Sequence, residues 1–243
     1  MNITQRLLPI TLAAVATCAA VNTAWAGDIT RLGSLNQTEF LALSKDLAAA
    51  TSHKPMEPAA PLSWAGLDVS VGTSFTHTQA GNAWNKATGG SVNDLLQGKV
   101  MITKGLPWGV DVGGFVSNSA NSNLTASGFH VKYALVDGNV VLPAVALRTS
   151  YSRLGGVSQM DLNNTAFDVL ISKGFVGFTP YAGVGTVRSH ATVNGLNNLS
   201  GESFTQSKSF VGVSMNMLLV NLSAEYERVG SVSTVGVKAG VRF

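Results

Sequence analysis

From Leu67 to its last residue the chain alternates apolar and polar positions with a period of two. Leu67, Val69, Val71, Thr73 and Phe75 make one set, and Asp68, Ser70, Gly72, Ser74 and Thr76 make the other. Such alternation places the two sets on opposite faces of a strand. Ten runs of this kind follow one another, at 66–78, 97–105, 109–118, 123–136, 140–153, 162–173, 176–189, 203–217, 221–229 and 233–243. Most are about 9 to 15 residues long, at or above the ~9–11 that a tilted strand needs to cross a bilayer. Their connections alternate in length. Leu106-Pro107-Trp108, Asp137-Gly138-Asn139, Gly174-Phe175 and Leu218-Leu219-Val220 are tight, whereas 79–96 and 190–202 are long and polar, with shorter links at 119–122, 154–161 and 230–232. The pattern predicts an all-β fold, a ten-stranded antiparallel transmembrane β-barrel over 64–243. Closure removes the edges that lipid cannot satisfy, with the short turns on the periplasmic side.

Residues 27–63 follow another period. Asn36, with Glu39 three positions on, has the form of a helix start with reciprocal capping. Phe40, Leu43, Leu47 and Ala50 then recur at helical spacing, until Pro55, Pro58 and Pro61 turn the chain into an extended tether. Because strand one starts on the periplasmic side, residues 36–50 are expected to lie there or to re-enter the barrel from below. A free amphipathic helix this short is marginal in water. Its Phe40, Leu43 and Leu47 stripe is therefore expected to dock at the periplasmic mouth of the barrel, the competing reading being a loosely attached or membrane-surface helix.

Composition fits a surface that meets lipid. Hydrophobic residues make up 45% of the chain but charged residues only 12%, against about 25% in an average soluble protein. The charges also keep to one strand face. Asp68, Lys99, Asp111, Lys132, Arg148, Asp168, Lys208, Glu225, Glu227, Lys238 and Arg242 all fall on the polar parity. Arg188 joins them under one of two readings of strand seven, where Gly183 and Gly185 leave the parity open. A charge facing lipid at the midplane costs ~2–4 kcal/mol, so this face should line the lumen. Inside, opposite signs must neutralise one another. The result is either a salt-bridge ladder filling a narrow barrel or an ion pathway. Aromatic side chains should gather at the two interfaces: Trp64, Trp108, Tyr133, Phe178, Tyr181 and Phe243 near the turns, and Phe75, Tyr151 and Phe167 toward the loops.

The first 26 residues form an export signal. Arg6 is the positive start, Leu7 to Ala20 the apolar stretch, and Ala24-Trp25-Ala26 the cleavage motif, so processing is expected between Ala26 and Gly27. The single cysteine, Cys18, lies in this signal, which leaves the mature chain without a disulfide. Removing Arg6 leaves 15 basic against 13 acidic residues, without the basic clustering that nucleic-acid binding requires.

The last strand carries the most specific pattern. Val235, Val237, Ala239, Val241 and Phe243 form one apolar face that ends on a C-terminal aromatic, opposite Gly236, Lys238, Gly240 and Arg242. It resembles the C-terminal strand that the outer-membrane assembly machinery reads. The stretches Thr38-Glu39-Phe40 to Pro61, Lys104-Gly105-Leu106-Pro107-Trp108-Gly109-Val110-Asp111-Val112-Gly113 and Thr179-Pro180-Tyr181-Ala182-Gly183 resemble a family of uncharacterised proteobacterial outer-membrane β-barrel proteins with an N-terminal periplasmic helix. The resemblance covers nearly the whole mature chain and implies location and architecture, with no activity to carry over. The expected partners are outer-membrane lipid and lipopolysaccharide on the outside and the assembly machinery at the last strand.

Candidate chemistry is sparse. The histidines are His53, His77, His130 and His190, and none shares ligand spacing with a second donor in one element, so no metal is expected. Ser189, His190 and Glu202 lie near one rim without a specific spacing. No Gly-rich phosphate loop opens a helix, and no cofactor is expected. The function read from the sequence is a structural or interaction barrel with a largely filled lumen. The alternative is a narrow porin-like channel gated or plugged by the N-terminal helix; an enzyme at the rim is the third reading.

Overall fold

The computed structural model of the protein describes residues 27–120 and 122–243. The expected signal, with Cys18 and the cleavage motif, lies outside the described residues. The described residues form ten strands, β1 (Leu67–His77), β2 (Asp94–Leu106), β3 (Val110–Ser119), β4 (Thr125–Val136), β5 (Ala144–Gly155), β6 (Met160–Ser172), β7 (Phe178–Val193), β8 (Glu202–Met217), β9 (Val220–Val229) and β10 (Val232–Arg242). Two α-helices accompany them, α1 (Gln37–Thr51) and α2 (Gly81–Thr88). Every strand is antiparallel to its neighbours in sequence, and β1 pairs with β10 from Asp68↔Arg242 to His77↔Ser233, which closes the barrel.

The barrel is inside out relative to a soluble protein. Val100, Ile102, Val116, Phe167, Val211 and Val235 point outward and are 51% to 59% exposed. An apolar belt of this extent on a monomer marks a surface covered by something other than water. Trp64, Trp108, Tyr133, Phe178 and Phe243 are exposed near the turn end, and Tyr151 and Phe167 are exposed toward the loop end. Tyr181 departs from its expected interface position. It is buried and faces Phe210 across the lumen wall at 6.5 Å between ring centroids. Arg188, by contrast, is exposed, because Val187 and Ser189 are the inward residues of β7. The two glycines that blurred this strand's parity point inward. A Cβ at Gly183 would overlap the Phe210 ring.

Two connections differ from their expected form. The loop after β1 contains α2, whose Ala83, Trp84 and Ala87 make an apolar face that packs against α1. Strand β5 starts at Ala144 rather than 140 because the Asn139 side chain accepts from the Val141 and Leu142 N–H groups, holding these residues in a turn ahead of Pro143.

The largest correction concerns the N-terminal segment. Helix α1 has the expected capping box, with Asn36 Oδ1 accepting from Glu39 N at 2.9 Å and Glu39 Oε2 from Asn36 N at 3.1 Å. It does not sit where β1 starts. Phe40, Leu43 and Leu47 are fully buried at the opposite, loop end, in a core with Trp84, Leu95, Leu154 and Leu162. The reason lies in the matching surfaces. Apolar inward residues at the loop ends of β2, β5 and β6, together with α2, provide the cover that the stripe needs. At the turn end the inward residues include Asp68 and Asp111.

Candidate functional site

The site is the lumen, and the chain's own tether runs through it. Asp46 to Ala59 is an unbroken run of buried residues. The second half of α1 enters the barrel mouth with Ala48, Ala49 and Ala50, whose small side chains thin a helix otherwise ~10–12 Å across. The helix ends at Thr51, and the Lys54 ammonium donates to the carbonyls of Ala49 (2.5 Å) and Ser52 (3.2 Å), where the helix dipole favours a cation. From Ser52 the chain is threaded down the barrel and emerges at the turn end. Pro55, Pro58 and Pro61 suit that route, since none can continue the helix and each leaves no N–H to satisfy away from water.

The barrel wall binds this segment at each level. Asn164 donates to Thr51 Oγ1 at 3.0 Å. His53 stacks on Phe115 with ring centroids 4.4 Å apart, and its Nε2 shares a hydrogen bond of 2.7 Å with His130 Nδ1. Lys54 pairs with Glu227 at 3.2 Å. Glu57 lies 3.2 Å from His130 Nε2 and 3.5 Å from Lys132. Below them Lys132 donates to the Pro58 carbonyl (2.9 Å), Ala59 N donates to Ser172 Oγ (3.1 Å), and Leu62 N donates to both oxygens of Asp111 (3.1 Å). Several of these contacts reach the tether's backbone, so the wall recognises an extended chain as well as particular side chains.

Space for the tether comes from inward glycines. A Cβ on Gly236 would lie 2.8 Å from the Met56 sulfur, and one on Gly105 would overlap the Ser63 carbonyl. A ten-stranded barrel is narrow enough for ordinary side chains to fill much of it. These positions have none.

The sequence-predicted charges fall around the same passage. Asp68, Lys99, Asp111, Lys132, Arg148, Asp168, Lys208, Glu225, Glu227 and Lys238 are buried, and the Arg242 side chain is 23% exposed at the turn end. Some are joined across adjacent strands: Arg148 to Asp168 at 2.8 Å, Lys208 to Glu227 at 3.2 Å, Lys132 to Asp111 at 3.1 Å and Arg242 to Asp68 at 2.8 Å. Lys208 also reaches Asp168 at 3.3 Å across β7, and Lys238 lies 3.8 Å from Asp68. Lys99 stands 5.9 Å from the Phe115 ring centroid, a cation over an aromatic face. Sequence reasoning missed His53, Lys54, Glu57 and His130, which join the wall to the tether.

The loop mouth is closed by a cap. Asp46 Oδ2 accepts from Gln79 N, Ala80 N and Trp84 Nε1, each at 2.9 Å. Burial pushes this carboxyl's pKa up from its ordinary value, against the three hydrogen bonds. Ile29 N donates to Asn123 Oδ1, Leu32 N to Gln159 Oε1 and Gln37 Nε2 to the Ser200 carbonyl, so the N-terminal segment ties three loops together. At the rim, Ser189 points inward to Asn164, while His190 points outward to Ser203 Oγ. The two face opposite sides of β7 and share no reaction centre. In the last strand Val235, Val237, Val241 and Phe243 are exposed on the outer face with Ala239 half-buried among them, and Phe243 N and O both pair with Leu67.

A closed antiparallel barrel with a lipid-facing apolar belt and a polar interior defines the class, an outer-membrane β-barrel protein. No family model matches the chain, and no curated protein does. Among solved structures it is similar to the N-terminal β-barrel domain of Pseudomonas aeruginosa OprF, with 14% identity and a TM-score of 0.39 over 72% of this chain and 97% of that one. It is also similar to Ail, the attachment invasion locus protein of Yersinia pestis, with 14% identity and a TM-score of 0.33 over 74% of this chain and 99% of that one. A third likeness is to the KdgM porin, with 9% identity and a TM-score of 0.39 over 72% and 99%. At these identities and scores the likenesses assign no activity to this chain.

Proposed function

We propose that the protein is a self-plugged outer-membrane barrel with a structural or interaction role and no enzymatic one. The single observation that carries this reading is the tether. Its buried run from Asp46 to Ala59 fills the axis of the barrel and is bound by wall residues from one mouth to the other. Each tether hydrogen bond contributes about 1 kcal/mol net, and the ion pairs of Lys54 and Glu57 add the cost of leaving charges unpaired if the tether leaves. The plug is therefore a stable part of the fold. In this reading the chain is processed after Ala26, its last strand and Phe243 engage the assembly machinery, and its belt meets lipid and lipopolysaccharide.

Planar-bilayer recording tests the proposal. The processed chain should carry no steady current above the lipid baseline. A variant lacking residues 27–62 that still shows the gel shift of a folded barrel should conduct. Steady conductance by the processed chain, unchanged by the deletion, would favour the narrow-channel reading instead. That reading draws on the charged wall, which would line a water path if the tether moved aside.

A further inference from the structure

We infer that this barrel carries its own N-terminal segment, residues 27–51, across the membrane and displays it on the outer face. The inference rests on the outer-membrane reading above, with the short turns on the periplasmic side. Three observations lead to it. First, β1 begins at the turn end, yet the residues before it lie at the loop end, with the chain between them inside the barrel. Second, the length fits a crossing: residues 52–62 reach at most about 36 Å when fully extended, which exceeds the ~25 Å height of a barrel's apolar belt and leaves slack for the left-handed turn at Met56 (φ 52°). Third, the segment is built into the loop end. Phe40, Leu43 and Leu47 are fully buried there, and Glu39 reaches Lys86 at 2.6 Å.

A chain delivered from the periplasm reaches this arrangement only if residues 27–51 pass through the barrel's interior. The inward glycines, with Lys132 donating to the Pro58 carbonyl and Ser172 Oγ accepting from Ala59 N, suit a wall that closes on the backbone of a passing chain. The β1–β10 seam, which joins the ends of the barrel sequence, is the place where such closure is completed. Anything joined to the start of α1 would then be carried outward with it. The activity proposed is export of the chain's own N-terminal segment.

Cysteine accessibility tests this in the full-length protein. In a Cys18→Ser background the chain has no thiol, so single reporters can be placed. Asp28→Cys and Thr38→Cys mark exposed positions on the N-terminal segment, and Val140→Cys marks a turn residue that is 93% exposed. Intact cells expressing each variant are treated with a membrane-impermeant maleimide before and after the outer membrane is permeabilised. The expected result is full labelling at positions 28 and 38 in intact cells and labelling at 140 only after permeabilisation. Position 140 labelled first, with 28 and 38 protected, would mean the barrel is inserted the other way and would overturn the inference. The same protection, or the same access, at all three positions would deny that the chain crosses the membrane between them. Neither result depends on whether the lumen conducts, so this test and the bilayer recordings fail separately.

Discussion

Replacing Asp168 by Asn removes one negative charge from the lumen and almost no volume. Asp168 Oδ2 accepts from Arg148 Nε at 2.9 Å and Nη2 at 2.8 Å, and from Lys208 Nζ at 3.3 Å. All three residues are at most 2% exposed. The amide leaves no cavity, so the cost is electrostatic: two buried cations lose a shared carboxylate; Lys208 keeps Glu227 at 3.2 Å, and Arg148 keeps the Phe210 ring, 4.9 Å from its centroid. Breaking a buried pair from one side costs about 3–5 kcal/mol. With a urea slope on the order of 2 kcal/mol per molar, the unfolding midpoint should fall by about 2 M. The assay is urea unfolding of the processed protein refolded into phospholipid vesicles, followed by tryptophan fluorescence and by loss of the compact gel band. The exposed pair Arg153–Asp161, with side chains 61% and 37% exposed, is the internal control, and Asp161→Asn should leave the midpoint close to wild type. The double variant Arg148→Met/Asp168→Leu, which removes both partners, should be less destabilised than Asp168→Asn. If Asp168→Asn behaves like Asp161→Asn, the lumen is wet enough to screen its charges and the plugged-barrel argument loses its energetic basis.

Deleting Phe243 should lower the amount of folded, heat-modifiable barrel recovered from the outer membrane, because the exposed aromatic ends the apolar face that assembly is proposed to read. Unchanged recovery would remove that role. Asp46 links the cap to pH. Its folded carboxyl titrates above the unfolded value because burial opposes the charge. Its contribution to cap stability is thus full below the unfolded pKa and is lost as pH rises through the folded one. Amide-exchange protection of α1 between pH 4 and 7, corrected for intrinsic rates, should decline less in Asp46→Asn than in wild type. Parallel profiles would show that Asp46 does not govern the cap.

The barrel was legible in the sequence because a period of two reports which face of a strand each residue takes, and lipid on one side makes that report sharp. Ten buried charges, and Arg242 at the turn end, could be placed from parity alone, as could the outward Val235 and Phe243. Parity was open at β7, where Gly183 and Gly185 carry no side chain to read; Tyr181 faces inward instead of lying at the interface, and Arg188 takes the outward of its two readings. What fills a barrel is a different kind of question. The stripe of Phe40, Leu43 and Leu47 required an apolar surface, but nothing local to it said that β2, β5, β6 and α2 supply one only at the loop end. Two signals did bear on the tether. Prolines at 55, 58 and 61 describe a chain able to lie extended among groups that offer few acceptors, and Gly72, Gly105 and Gly236 fall on the charged, inward parity where a narrow lumen would otherwise be occupied by side chains. Each has an ordinary explanation alone, as a linker or as a weak strand position. Together they describe one object, a lumen emptied of side chains along the path of a chain that needs few hydrogen bonds. The charges complete that reading: Lys54 and Glu57 on the tether meet Glu227 and Lys132 on the wall, so the wall's pairing becomes intelligible only when the tether is counted as part of it.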